Sequence, residues 1–301
     1  MKTERLVYAT RKSALALAQS RALVADLARA RPELDITELT VTTTGDKIQD
    51  RSLTEIGGKG LFVKEIEEAL IAREADLAVH SLKDVPGELA PGLRIGCVPK
   101  REDPRDVIVA RSGATLLELP EGARIGTTSL RRQLQLRALR PDFVLVPLRG
   151  NVDTRIRKCR DGEVDAVVLA RAGLVRLGRA DEATEVLEPE ISLPAVGQGA
   201  LAVELRADDA RTHTLLDALR DDETSRAVAA ERGVMIAVQG GCQTPVAAYA
   251  LRAHGGFWLR AFLADPDGTR LRRGERRAAY PATDKEAEAL GRDLGEELAR
   301  A

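Results

Sequence analysis

Aromatic residues make up only 3% of this chain, which argues against the base-stacking platforms that bind single-stranded nucleic acid. Neither sign of charge is in excess: 46 Lys+Arg face 47 Asp+Glu, for a net charge of −1. A general nucleic-acid binder carries a basic excess, so anion recognition here must be local. Cysteine is scarce, with Cys97, Cys159 and Cys242 as the three copies, and there are three histidines. The odd count and the absence of metal-ligand spacing speak against a disulfide framework and a zinc site, and for a reducing compartment. No apolar run approaches the roughly 20 residues of a membrane span. The run Ala14-Leu15-Ala16-Leu17-Ala18 is too short for a signal core, and a strand-like stretch, Leu6 to Ala9, precedes it. These absences predict a soluble, cytoplasmic protein with no metal and no nucleic-acid or membrane partner.

What is present is 44% hydrophobic content over 301 residues, enough for two or three domains. Leu6–Ala9 reads as a strand, and Ser13 can cap a helix that Pro32 stops. Ile36–Thr43 alternates like a strand, Thr44–Gly60 reads as a long mobile loop, Leu61–Ala72 as an amphipathic helix and Leu77–Val79 as a buried strand. Strand and helix alternate, which predicts a parallel α/β sheet. The pattern restarts near residue 104, with strands at Val107–Val109, Arg124–Ile125, Phe143–Val146 and Ala166–Leu169. Leu201–Leu205 is a further strand that can return to the first unit. The last third changes character: a helix from Glu223 to Ala237, a Gly240-Gly241-Cys242 loop, three strand patterns and a terminal helix from Asp284. The expected domains are 1-99 with 200-217, then 104-195, then 222-301.

The most informative stretch is Gly126-Thr127-Thr128-Ser129-Leu130-Arg131-Arg132. It lies where a strand turns into a helix N-terminus. Free N–H groups and the helix dipole favour anions there, and cations prefer the other end. Two arginines in a first helical turn therefore oppose the dipole unless an anion arrives. A second cluster of the same design runs from Leu148 to Arg155. Ligands of open α/β sheets sit beyond the carboxyl ends of strands, and Arg11, Lys83-Asp84 and both clusters fall at such ends. Two facing units would bring them into one cleft that holds several carboxylates or phosphates. A solvated basic face is the bland alternative, weakened by the repetition.

Asp84 follows Lys83 at a strand end, where such a step is usually inert. A carboxylate in a cationic cleft gains a reason as a general acid/base or as the partner of a developing cation. Cys242 follows two glycines that let the backbone turn and expose the thiol, whereas Cys97 and Cys159 read as structural. His80 reads as a satisfied core histidine. Gly57-Gly58-Lys59-Gly60 lacks the Lys-Ser/Thr step of a nucleotide loop.

The constellation resembles the porphobilinogen deaminase family. The likeness rests on Ala9–Ser13, Gly57–Phe62, Val79–Pro86, Arg101–Asp106, the two arginine clusters, Leu193–Ala200 and Gly240–Cys242, in the family's order. It implies two periplasmic-binding-protein-like α/β domains plus a small C-terminal α+β domain. It implies a transferase of heme and porphyrin biosynthesis that carries a dipyrromethane cofactor joined by a thioether to Cys242. Porphobilinogen, a small molecule, would be deaminated and added head to tail, and hydroxymethylbilane released, by a monomer. By resemblance, Ser81, Lys83, Thr127, Ser129, Arg131 and Arg132 hold the cofactor. Arg11, Ser13, Arg149, Arg155 and Arg176 bind substrate or the growing chain, and Asp84 is catalytic. Each pyrrole bears two carboxylates, so physics and family agree about the arginines.

Three positions depart from the family's pattern: Gln239 where Glu is common, Ala237 where a basic residue is common, and Arg171 in a segment usually apolar. Two rival readings stand beside the enzyme. One is a small-anion binding protein without catalysis, which leaves Asp84 and the cysteine-bearing third domain unexplained. The other is a thiol enzyme with Cys242 as nucleophile, which lacks a nearby base.

Overall fold

Short apolar runs bounded by turn residues become adjacent strands when a helix carries the chain back between them. The computed structural model describes residues 4–47, 63–240, 244–265 and 267–301. Strand β1 (Glu4–Arg11) leads into α1 (Ala14–Ala30), β2 (Leu34–Val41) and a helical turn, α2 (Thr44–Lys47). After α3 (Lys64–Ile71) come β3 (Leu77–Ser81) and β4 (Leu93–Cys97). Ser13 opens α1 by accepting a hydrogen bond from the Ala16 N–H at 3.3 Å, and Arg31 caps its end just before Pro32. The rest of the loop expected over Thr44–Gly60, from residue 48, lies outside the described residues, as does the family block Gly57–Phe62.

The next stretch holds β5 (Asp106–Ala110), β6 (Arg124–Gly126), α4 (Leu130–Leu139), β7 (Val144–Val146) and α5 (Val152–Arg160). It continues through β8 (Ala166–Ala170), α6 (Arg171–Arg176) and β9 (Glu185–Leu187). Then follow β10 (Leu201–Arg206), α7 (Ala210–Leu216), α8 (Asp222–Ala237), β11 (Val246–Ala253), β12 (Gly256–Leu263), β13 (Arg272–Ala278) and α9 (Asp284–Arg300). Internal contacts group the chain into two units, Met1–Arg101 with Ala200–Ser225, and Glu102–Gly199 with Arg226–Ala301.

The first unit's sheet has the order β2-β1-β3-β10-β4 and the second unit's the order β7-β6-β8-β5-β9. The two share one plan. In each, four of the five strands run in one direction, and the fifth, β10 or β5, inserts antiparallel between an edge strand and its neighbour. The expectation of purely parallel sheets is therefore corrected to mixed ones. The inserted strands reach their sheets directly from the chain of the other unit, without the crossover helix that enforces parallel pairing. Both faces of β5 are covered: Val107 and Val109 enter one core, Ile108 and Ala110 another. That accounts for its unbroken apolar run.

The second unit also carries the antiparallel sheet β11-β12-β13. Helices α8 and α9 pack over it through Val234, Leu259, Leu294 and Leu298. The helices approach closely because residue 291 is glycine: a Cβ there would stand 1.9 Å from the Ala230 carbonyl oxygen. Ala237 lies against Gly295 in the same contact, where a Cβ on Gly295 would come within 2.7 Å. The departure at 237 thus sits at a tight helix crossing. Two α/β sheets and a C-terminal α+β part are the fold class the sequence implied. Among the described residues, no helix is long and apolar enough to cross a membrane, and no group of acidic, histidine and cysteine side chains is placed to hold a metal.

Candidate functional site

In the second unit, β6 pairs in parallel with both β7 and β8, so the three carboxyl ends lie together. Thr127 continues this ladder, donating its N–H to the Val146 carbonyl at 2.9 Å, and its own Oγ1 accepts from the Ser129 N–H at 3.2 Å. Ser129 is the N-cap of α4, yet its hydroxyl makes no capping bond. Arg131 and Arg132 follow in the first turn, as expected. They are not a solvated face: each is only 6% exposed.

Their position opposes the helix dipole, and the protein supplies the anion itself. Asp106, the first residue of β5, is fully buried between them. Arg132 grips Asp106 Oδ1 through Nη2 at 2.7 Å and Nε at 3.2 Å, and donates Nη1 to the Val168 carbonyl at 2.9 Å. Arg131 Nη1 lies 2.8 Å from Asp106 Oδ2 and 2.6 Å from the Leu193 carbonyl. Ser192 Oγ and Gln198 Nε2 donate to the same carboxylate at 2.7 and 2.8 Å. Burial alone would raise the pKa of Asp106 and disfavour its ionisation, but the two guanidiniums outweigh it and hold the carboxyl far below its usual range. One carboxylate cannot compensate two arginines. Burial, helped by the charge of Arg132 and opposed by Asp106, accordingly pushes Arg131 down.

The second cluster follows β7. Asn151 caps α5 by accepting from the Thr154 N–H at 2.8 Å. Gly150 has φ +117°, and a Cβ there would strike Thr154 at 2.6 Å. Arg155 is half-buried and donates Nε to the Gly150 carbonyl at 2.8 Å. Its guanidinium is pushed down to about 10, first by burial and then by the positive charges of Arg132 and Arg149. Arg176, at the end of α6, is likewise pushed down to about 10 by burial, against the pull of Glu102, and donates to the Gly199 carbonyl at 2.6 Å. Positive charge therefore exceeds negative charge at these strand ends, which fits a ligand bearing several carboxylates.

In the first unit, β1 and β3 are parallel neighbours, and Arg11 and Ser81 end them on the same side. Ser81 Oγ donates to Gln19 Oε1 of α1 at 3.0 Å. Ser13 uses its hydroxyl as the α1 cap. Lys83 and Asp84 stand exposed in the short turn Leu82–Asp84, and no ion pair between them is present. His80 is buried as expected, with Nε2 2.8 Å from Glu204 Oε2.

Cys97 and Cys159 are buried and free of disulfides, and burial pushes their thiols up, Cys97 to about 12. Neither is suited to nucleophilic work. Cys242 lies outside the described residues. Arg171 pairs with Asp103 at 3.1 Å. Gln239 takes a left-handed conformation at φ +49° as the chain leaves α8. Sequence reasoning missed Asp106, Ser192, Gln198 and Gln19. The signal for Asp106 was there: a carboxylate that opens a strand apolar on both faces requires a buried partner.

Two family models match the chain: "Porphobilinogen deaminase, dipyromethane cofactor binding domain" over residues 6–214, and "Porphobilinogen deaminase, C-terminal domain" over residues 225–300. Curated relatives named porphobilinogen deaminase include one from Sorangium cellulosum, 63% identical over 99% of both chains. Another, from Syntrophobacter fumaroxidans, is 50% identical over 98% of this chain and 95% of its own. Among solved structures, the Bordetella pertussis BvgS VFT2 domain aligns with TM-score 0.43 and 18% identity, covering 71% of this chain and 86% of that one.

Proposed function

The chain belongs to the porphobilinogen deaminase family, and from that premise we propose which of its residues hold the cofactor and which carry the chemistry. The activity is that of a transferase of tetrapyrrole biosynthesis. It deaminates porphobilinogen, joins the units head to tail on a dipyrromethane primer and releases hydroxymethylbilane. The observation that carries the assignment of residues is the excess of buried positive charge at the carboxyl ends of β6 and β7, where Asp106 is the carboxylate shared by Arg131 and Arg132.

Thr127, Ser129, Arg131 and Arg132, with Ser81 and Lys83, hold the carboxylates of the cofactor, and Cys242 holds it covalently. When bound, the cofactor supplies the pyrrole terminus onto which substrate is joined. Arg11, Ser13, Arg149, Arg155 and Arg176 bind the acetate and propionate groups of substrate and growing chain. Charge-assisted hydrogen bonds of this kind contribute about 1.5–3 kcal/mol each. Asp84 works on the substrate. Its exposed carboxylate accepts the pyrrole N–H, stabilises the positive charge that develops as ammonia leaves, and moves the proton.

The proposal includes three domains, 1-99 with 200-217, 104-195 and 222-301. Its support is that each has its own sheet and core, although the contacts group the second with the third. It also takes the chain as a cytoplasmic monomer, and its small-molecule partners fit the near-zero net charge and the local character of the positive charge.

Intact mass tests the assignment. The protein should carry a permanent organic adduct that disappears in Cys242→Ser and persists in Cys97→Ser and Cys159→Ser. An adduct that survives on the Cys242 variant would remove the thioether from the reading.

A further inference from the structure

We propose that Asp106 is a positioning residue of the cofactor site, one that fixes the two guanidiniums of Arg131 and Arg132 in place before any ligand carboxylate arrives. The inference rests on the cofactor reading given above. Asp106 sits on β5, the strand inserted between β8 and β9, and not on the helix that bears the arginines. Through it, α4 is tied to the strand beside it and to the segment Ser192–Gln198. Arg132 engages all three of its nitrogens on Asp106 and the Val168 carbonyl. Arg131 is held by Nη1 alone, on Asp106 and Leu193. Gln198 is itself anchored by donating to the Pro104 carbonyl at 2.7 Å.

The carboxylate has a cost for anion binding, because it cancels one of two buried positive charges. A site selected only for charge would do better without it. Its place at the centre of five polar contacts indicates that order is what it contributes. A long guanidinium side chain free to choose rotamers loses entropy when it closes on a ligand, and one already locked does not. The two roles predict opposite signs. If Asp106 merely offsets charge, its removal strengthens anion binding. If it positions the arginines, its removal weakens binding even though net positive charge rises.

The full chain carrying Cys242→Ser provides a background without the covalent bond. Butanetetracarboxylate, a flexible polycarboxylate, is titrated into this parent and into its Asp106→Asn and Leu136→Ala derivatives, with a thermal melt of each. Leu136 is a buried apolar residue of α4 that serves as a stability control. Asp106→Asn should weaken binding about tenfold, equivalent to about 1.4 kcal/mol, while Leu136→Ala leaves it within about threefold despite a comparable loss of Tm. Asp106→Glu keeps the charge but shifts it by one methylene, and should also weaken binding several-fold. It serves as the test should the Asn variant fail to fold.

Tighter or unchanged binding in Asp106→Asn overturns the proposal, as does an equal loss in Leu136→Ala, or unchanged binding in Asp106→Glu. With Cys242 present, the adduct fraction by intact mass separates the two readings. A wild-type chain without adduct sinks the cofactor reading, and the titration still judges Asp106. Full loading of Asp106→Asn beside poor loading of Arg131→Leu sinks the positioning role alone.

Discussion

Replacing Arg132 should cost far more stability than replacing Arg155, although both are cluster arginines assigned to polycarboxylate binding. Arg132→Met deletes the two-point grip on Asp106 and the bond to the Val168 carbonyl. It leaves a fully buried carboxylate with Arg131, Ser192 and Gln198 as its remaining partners. Removing one partner of a buried ion pair typically costs about 3–5 kcal/mol. For a unit of this size, that is a fall in Tm of roughly 6–20 °C. Arg155→Met removes a guanidinium whose ionisation is already lowered by burial and by Arg132 and Arg149. The loss of apolar stem packing is small with Met, and a repulsion disappears, so the change should lie within about 1 kcal/mol or be favourable. Urea and thermal unfolding of both variants in a Cys242→Ser background, where covalent cofactor does not contribute, make the comparison. The acid limb adds a second sign. Because Asp106 ionises far below its ordinary range in the folded protein, its stabilisation is complete above the unfolded value near ~4 and is lost only as pH falls below that value. With one cation gone its folded value rises, so acid unfolding of Arg132→Met should begin at higher pH. Equal losses of stability in the two variants, or an unchanged acid limb, would refute the reasoning.

Asp84→Asn should keep fold and adduct, because the residue is exposed in a turn, yet lose about 10²–10⁴-fold in single-turnover rate; near-normal turnover would remove it from the mechanism. Arg149→Leu should retain adduct by intact mass and stall in elongation, visible as accumulation of intermediate chain lengths, and normal product formation would contradict its role. Glu38→Gln tests a satellite site in the first unit. Glu38 accepts from Arg21 and from Tyr8 and is lowered from 4.5 to about 2, chiefly by these hydrogen bonds. Its contribution, about 1 kcal/mol for a partly exposed group, should be present above pH 4.5 and vanish as pH falls through 2, and a difference from wild type that persists at lower pH would count against it.

Much of the fold is written in local pattern. Ser13 and Pro32 bound α1, and the unbroken apolar residues after Asp106 mark a strand covered on both faces. Strand direction is less legible, since Leu201–Arg206 looks the same whether it enters a sheet parallel or antiparallel. The choice is made by where the chain comes from, a contact far away in sequence. The same limit applies to side-chain partners. The block Arg101–Asp106 belongs to the family likeness, but nothing in its spacing says that Asp106 reaches Arg131, Arg132, Ser192 and Gln198, which lie 25 to 92 positions away.

The two arginine clusters show what a shared local motif leaves open. Each has a strand, a turn and a helix N-terminus bearing cations, and in each the dipole asks for an anion. At α4 the anion is internal. Asp106 fills it, and the residual positive charge is held by side chains that are buried and fixed. At α5 the helix is capped by neutral Asn151, the first-turn Asp153 is paired with Arg179, and Arg155 answers to a backbone carbonyl while Arg132 and Arg149 repel it. A cation held by a carboxylate is already ordered and suits a ligand that is bound once and stays. A cation destabilised by its neighbours gains most when a mobile carboxylate arrives, and loses it with less cost when the chain advances. The division between cofactor-holding and substrate-moving arginines, which the proposed function takes from the family resemblance, is consistent with this difference in internal compensation, which the two sequence motifs do not display.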